Sequence, residues 1–417
     1  MMEILPNEPT RDSRTPGTAE IIGKAKIIRS IYEGRDIMPL WNDLLGRVVA
    51  DHSDAAAYLD LSIIMNSVGQ KSEAAIAQRA ALRLSKTYRL TFGHGTGLNV
   101  LVFLTKGDFT ANTPIELLLE DSDVNVLLYY VDADTTNLDD IPNHDVAFVA
   151  VAESTDNLPV LLNLEKLLRD WRGPIMNNAP RVVMGLSRDG VAESLRQGVA
   201  GVTPAITRIP RNVLQGIANG VLAMETVAGI GSYPFIVRPL DTHAGHGMEK
   251  IVDRAELLGF LEAHPDQLFY IAPFIDYSSK DGKFRKQRIA FIDGNAYASH
   301  MAISEHWMVH YQNAGMSHFE DRRAEEATWM AHFDEDFATR HANAFAELGR
   351  CFGLDYFAID CAELPDGRLL VFEVDVGMYV HCMDSAELFP YKAQVMKKLF
   401  RGFEAALERR ARLRGQN

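Results

Sequence analysis

From Leu98 onward the chain alternates short apolar runs with helical stretches, and that alternation narrows the fold more than any other feature. LNVLVFLT (98–105), VNVLLYYVD (124–132) and HDVAFVAVAE (144–153) read as strands, while PIELLLED (114–121) and LPVLLNLEKLLRDW (158–171) read as helices. Strands separated by helices imply a parallel sheet in an α/β domain, here over about 91–175. The loop after the first of these strands, Lys106 to Pro114, sits at the strand's C-terminal end, where open α/β sheets bind ligands, and is a candidate substrate loop. GHGTG (93–97) precedes that strand instead of following it, so it reads as a linker and not as a dinucleotide fingerprint.

At 417 residues, 47% of them hydrophobic, the chain is too long for one ordinary core and suggests two or three domains. Its 42 basic and 56 acidic residues leave a net charge of −14, which argues against wholesale binding to nucleic acid or anionic lipid. Cys351, Cys361 and Cys382 lie at no metal-ligand spacing, imply no zinc site and suit a reducing compartment. No window approaches the roughly 18 to 20 apolar residues of a membrane span, and the first residues lack the apolar stretch of an export signal. The expectation is a cytoplasmic protein without nucleic-acid or membrane partners.

Residues 1–18 read as a polar, disordered leader, and 19–90 as helical, with few breakers and apolar positions at helical spacing. Within them Ala55 to Leu84 suggests two helices broken near Gly69, like one tetratricopeptide unit. One such unit cannot bury its own face. It is either a packing or homodimerisation module or a docking surface for a protein or peptide partner.

Three later stretches carry chemistry, each with two readings. PFIVRPLDTHAGHGMEKIV (234–252) is a strand ending in Arg238, a loop with Gly245 and Gly247, and a second strand; it is either a structural hairpin or a phosphate cradle, since glycines let backbone amides approach an anion. KFRKQRIAFIDG (283–294) is a charged strand closing at an Asp-Gly turn, and NAYASHMAIS (295–304) pairs back as a hairpin. Alternation puts Lys286 and Arg288 on one face and Arg285 on the other. GRLLVFEVDVG (367–377) is an apolar strand that ends in Glu373 and Asp375, two acids on one face: a solvated strand end or a ligand pair.

In this order the blocks resemble the ATP-grasp ligases, particularly the glutathione synthetase and ribosomal-protein glutamate ligase branch. The resemblance implies an α+β / α/β fold. A pre-grasp parallel domain (91–175) would follow the tetratricopeptide-like region and precede an ATP-grasp domain (176–417), its lid over about 205–275 and its metal-binding part over about 276–400. PIMNNAPRVVMGLSRDG (174–190) is similar to the stretch that leads into the grasp. FIVRPLDTHAGHG looks like the strand and flexible loop over the triphosphate, which implies ATP contacts from Arg238, His243, Gly245, His246 and Gly247. YIAPFID stands where the hinge strand meets adenine, implying Ala272, Pro273, Phe274 and Ile275. FRKQRIAFIDG is similar to the strand with the catalytic arginine, here Arg288. AIDCAELPDGRLLVFEVDVG matches the metal strands, and implies that Asp360, Glu373 and Asp375 hold magnesium, or manganese in its place, as hard oxygen ligands.

Three positions depart from the family: Arg238 replaces a lysine, Asp375 an asparagine and Pro273 the hinge glutamate. The family's basic substrate loop is replaced by HMAISEHWMVHY (300–311), so Lys286, His300, His306 and His310 are the candidate substrate contacts, the histidines as protonated partners of a carboxylate or as bases. The activity implied is ATP-dependent joining of a carboxylate to an amine through an acyl-phosphate, on small-molecule or peptide substrates. The alternative is a non-catalytic nucleotide-binding scaffold or sensor with a helical docking domain.

Overall fold

Six strands form the first sheet: β1 (Ala19–Glu20), β2 (Thr87–Thr91), β3 (Asn99–Leu104), β4 (Asn125–Tyr130), β5 (Val146–Val149) and β6 (Ile175–Met176), in the order β1-β2-β4-β3-β5-β6. The computed structural model to which they belong describes residues 18–196, 201–227, 229–240, 242, 245–311 and 313–413. Except for Thr18, the leader read over 1–18 lies outside the described residues, and so does His243. β3 to β6 pair parallel, as the alternation requires. The sheet is mixed, however, because β2 runs antiparallel to β4. A parallel crossover needs a dozen or more residues, and the short Phe92–Leu98 link allows only a reversal.

Between β1 and β2 lie four helices, α1 (Lys24–Tyr32), α2 (Met38–Ala50), α3 (Ala55–Ser67) and α4 (Lys71–Leu84). The stretch read as helical is therefore framed by two strands of the first sheet. Asp54 caps α3 by accepting from Ala57 N at 2.9 Å, and Arg47 grips the same carboxylate from α2 at 2.9 and 3.0 Å. Asp60, fully buried on α3, accepts from Ile22 N and Gly23 N at 2.9 and 3.1 Å and so ties the helices to the segment after β1. Among the described residues no helix is long and apolar enough to cross a membrane.

β7 (Gly201–Val202) is followed by a four-stranded antiparallel sheet of β8 (Thr207–Pro210), β9 (Phe235–Pro239), β10 (Glu249–Ile251) and β11 (Leu268–Pro273), ordered β10-β9-β11-β8. Its own small core gathers Phe235, Leu257, Phe260 and Phe269 beneath helices Arg211–Ala218 and Arg254–Ala263. The third sheet joins β12 (Phe284–Ile292), β13 (Asn295–Ser304), β14 (Tyr356–Glu363) and β15 (Leu369–Asp375) in the order β13-β12-β14-β15-β7. β12 and β13 form the expected hairpin: Ile292 faces Asn295 across Asp293-Gly294, whose φ values of 50° and 79° are those of a primed two-residue turn. The architecture is thus mixed α/β, with parallel and antiparallel sheets.

The last helix, Lys392–Arg412, binds the first and third sheets into one core. Its Phe403 meets Phe148 of β5 at 5.7 Å and Tyr356 of β14 at 5.4 Å, both edge-on. Asn177, just after β6, makes a polar link between the same sheets: its Nδ2 donates to Tyr356 O and its Oδ1 accepts from Tyr356 N, both at 2.8 Å. Asn177 is 1% exposed and holds φ at 52°, where asparagine is among the tolerated residues. Asn177→Ala leaves two buried backbone groups unpaired and adds left-handed strain, so denaturant unfolding should show a loss of about 3 kcal/mol. Asn177→Gly should lose about 1 kcal/mol less, since glycine accepts that φ.

Candidate active site

The second sheet faces the end of the third across a cleft of about 220 Å³. Two irregularities in the third sheet decide which side chains look into it. β14 and β15 pair Ala362 with Leu370 and Cys361 with Val371, but Asp360 with Glu373, so Phe372 is one residue too many. A bulge of this kind resets alternation. Leu370 and Glu373 would otherwise lie on opposite faces, yet both line the cleft. β12 and β13 carry a second bulge, at Ser299, which sets His300 directly opposite Arg288.

Charge concentrates at the inner end of the cleft. Arg288 Nε and Nη2 donate to the two oxygens of Asp360 at 2.8 and 3.1 Å, Lys286 Nζ donates to Asp360 Oδ2 at 2.9 Å, and Arg288 Nη1 donates to Tyr379 O at 2.9 Å. Arg285, on the other face as alternation requires, pairs instead with Asp281 and Glu325. Burial alone would raise the Asp360 carboxyl, but Arg288 and Lys286 outweigh it and hold the group well below the usual carboxylate range. Arg188 Nη2 donates to Glu373 Oε1 at 2.7 Å. Buried Arg238 donates to Thr242, through Nε at 3.2 Å and Nη2 at 3.0 Å to its hydroxyl and through Nη2 to its carbonyl. Burial lowers the Arg238 pKa, and the neighbouring Arg188 lowers it further. The cleft wall therefore carries four cationic side chains, Arg188, Arg238, Lys286 and Arg288, against the two carboxylates Asp360 and Glu373. In a chain of net charge −14 such a local excess selects a polyanion.

The outer end is apolar. Ala272, Pro273, Phe274 and Ile275 of the β11 end line it with Ile236, Leu370 and Phe372. Trp307 meets Phe274 edge-on at 5.8 Å, and Lys250 Nζ lies 3.7 Å from the Phe274 ring centroid. A flat, neutral group fits between such walls. Gly245, between β9 and β10, lines the cleft, and a Cβ there would come within 3.2 Å of Met308 Sδ. Gly247 holds φ at 63°, and a Cβ would meet Pro239 Cδ at 2.9 Å, so the loop's close return requires glycine.

Most residues singled out from the sequence meet at this cleft: Arg238, Gly245, Ala272 to Ile275, Lys286, Arg288, His310, Asp360 and Glu373 all line it. His246 is exposed and outside the wall, because its side chain leaves the loop on the solvent side. His300 stands behind the wall with its ring 4.5 Å from that of Tyr311, and the His306 backbone N–H donates to Ser304 Oγ at 3.0 Å. Burial, then Arg288, pushes the His300 pKa well down; burial, then Lys286, lowers that of His310. Near neutral pH both are held uncharged. The reading of these two as protonated carboxylate partners therefore gives way to neutral imidazoles, because the cations beside them oppose a further charge.

The three acids do not form the compact cluster expected. Among the described residues no three His, Cys, Asp or Glu side chains stand together in a way that could hold a metal. The cause is pairing: Asp360 is taken by Lys286 and Arg288, and Glu373 by Arg188. Asp375 lies one pleat beyond Glu373, accepts from Gly377 N at 3.0 Å, and has its pKa raised to about 7 by burial and then by Glu373. That mutual repulsion is what a cation relieves. Magnesium needs only one or two carboxylates when phosphates and waters supply its remaining ligands, and the Glu373–Asp375 pair fits that donor set.

Sequence reasoning missed Arg188. Its signal was GLSRDG: Ser187 Oγ accepts from Gly190 N and caps helix Arg188–Leu195, whose first turn points Arg188 at Glu373. Trp307 and Met308 were also missed, since nothing in HMAISEHWMVHY marks which side chains turn toward the cleft.

No family model matches the chain, and comparison with curated proteins finds no match. Among solved structures the chain is similar to a RimK domain protein ATP-grasp from Sphaerobacter thermophilus, at 13% identity over 74% of this chain and 99% of that one, with a TM-score of 0.40. It is similar to the D-alanine–D-alanine ligase from Bacillus anthracis complexed with ATP, at 13% identity over 77% of this chain and 99% of that one, with a TM-score of 0.43. It is also similar to the VanG D-Ala:D-Ser ligase from Enterococcus faecalis, at 11% identity over 73% and 98% of the two chains, with a TM-score of 0.42.

Proposed function

We propose that the protein is an ATP-dependent ligase that joins a carboxylate to an amine. The observation that carries this reading is the composition of this cleft: an apolar wall suited to a flat ring together with four cations suited to a chain of phosphates. In this reading the adenine lies between Ile236, Ala272 to Ile275 and Leu370, while Arg188, Arg238 and the Gly245 loop hold the phosphates. A cation at Glu373 and Asp375 supplies charge neutralisation for those phosphates when bound.

A substrate carboxylate oxygen attacks the γ-phosphorus, ADP leaves, and an acyl-phosphate results. An amine nitrogen then attacks the acyl carbon, phosphate leaves and the amine proton is lost. The chain's own contribution is position and charge. Asp360 fixes the Arg288 guanidinium from below, so that Arg288 meets the oxygen that becomes negative as the amine adds. Neutral His310 on the cleft wall is placed to take the amine proton.

Thermal shift at millimolar Mg-ATP is the first test. A ligand that binds only the folded chain raises the midpoint by mass action, and the rise should depend on the divalent ion and disappear in Arg238→Ala. No rise in the wild-type chain would sink the reading. ADP release across panels of carboxylates and amines then separates an enzyme from a nucleotide sensor.

A further inference from the structure

A second cavity, of about 170 Å³, lies where the C-terminal ends of β3 and β4 meet α3 and α4. It shares no lining residue with the cleft described above. One wall is the loop after β3, which is built firmly. Asn112 accepts from Thr105 N and donates to Thr105 O, both at 2.8 Å, closing the loop at its base. Gln78 of α4 donates to Gly107 O at 3.3 Å and accepts from Gly107 N at 3.0 Å, pinning its tip. The remaining walls are mostly apolar, with Leu59, Ile63, Leu104 and Leu128 among them.

Four charged side chains reach this space: Lys24, Lys71, Asp108 and Glu116. Glu116 is 7% exposed and accepts from Ala25 N at 3.0 Å, so the start of α1 holds it in place. Lys24 Nζ lies 5.3 Å from the Phe109 ring centroid and, among the described residues, makes no hydrogen bond or ion pair. Burial lowers the Lys24 pKa, with Glu116 and then Asp108 opposing the shift. An amine drawn out of bulk water and given only indirect compensation is an anchoring point without its ligand. Two positive and two negative groups leave the cavity balanced, so a ligand that fits it carries both signs and no net charge.

We propose that this cavity binds a small zwitterion, a molecule bearing a primary ammonium group and a carboxylate a few carbons apart. The carboxylate meets Lys24, the ammonium group faces Asp108 and Glu116, and the short hydrocarbon between them lies on Leu59, Ile63 and Phe109. The site stands independently of the nucleotide reading. Its position at strand C-termini is where open α/β sheets take ligands. Its loop also touches the cleft's surroundings: the Phe109 ring is 6.5 Å from that of Tyr379, whose carbonyl accepts from Arg288.

Calorimetric titration of the full chain, with EDTA and without nucleotide, tests this with glycine, β-alanine and 4-aminobutyrate as probes and propionate and propylamine as single-charge controls. At least one zwitterion should bind with a dissociation constant of about 1 mM or tighter, and both controls at least about tenfold more weakly. Lys24→Met and Asp108→Asn should each weaken that probe by at least about tenfold, a loss of about 1.4 kcal/mol. If Lys24→Met does not fold, Asp108→Asn decides alone. No heat from any of the three zwitterions, equal binding of propylamine, or unchanged affinity in the folded variants would overturn the proposal. The ATP-induced thermal shift on the same variants keeps the two readings apart, since a chain that binds β-alanine but not ATP loses the first and keeps this one.

Discussion

Asp375→Asn is expected to stabilise the metal-free protein by about 3 kcal/mol at pH 8 and to flatten its pH dependence between about pH 4 and 7. The Asp375 carboxyl is raised to about 7 by burial and then by Glu373. An unfolded aspartate titrates near 3.9, so between those two values the folded chain holds a proton that the unfolded chain has lost. Stability therefore falls as pH rises through this window and levels off above it. Three pKa units correspond to about 4 kcal/mol, and partial solvent contact at this half-buried group reduces the figure. Asparagine keeps the acceptor for Gly377 N and removes the charge. Urea unfolding in EDTA at pH 5 and pH 8 measures the effect. An unchanged difference between the two pH values would refute the repulsion between Asp375 and Glu373, and with it the reason to place a cation there.

Arg288→Ala is expected to lower ligase turnover by at least about a hundredfold while ATP affinity changes little. Arg288 is fixed at three points, by both oxygens of Asp360 and by Tyr379 O, so its Nη atoms are held in one orientation. In the proposed reading the phosphates rest on Arg188 and Arg238 instead. The substitution also leaves Asp360, 4% exposed, with Lys286 alone. A stability loss near 3 kcal/mol, the low end for breaking a buried pair, should accompany the loss of rate. Parallel loss of ATP binding in the folded variant would make Arg288 a phosphate clamp and remove it from the acyl transfer step.

What could be read in the residues was whatever short-range periodicity encodes. The opposite faces of Arg285 and Lys286, the Asp293-Gly294 turn and the shared face of Glu373 and Asp375 each follow from a few neighbouring positions. The order of the blocks, through its resemblance to a known family, led to the cleft wall. What escaped were contacts made at long range. Arg188 finds Glu373 across 185 residues, and no local pattern announces such a pair. The direction of β2 depended on the length of the link that follows it, and the engagement of Asp360 by two cations emerged only once β12 and β14 were set side by side.

The extra residue at Phe372 also sets how much of this strand the cleft can use. Without it the run Leu370-Val371-Glu373 would be a regular ladder, with Leu370 and Glu373 two positions apart on one face. With it, Phe372 turns to the same side, so a segment of four residues presents three side chains to the cleft where an unbroken strand would present two. Deleting Phe372 should therefore leave both the acid and Leu370 in place and remove one apolar wall, a change confined to the shape of the slot.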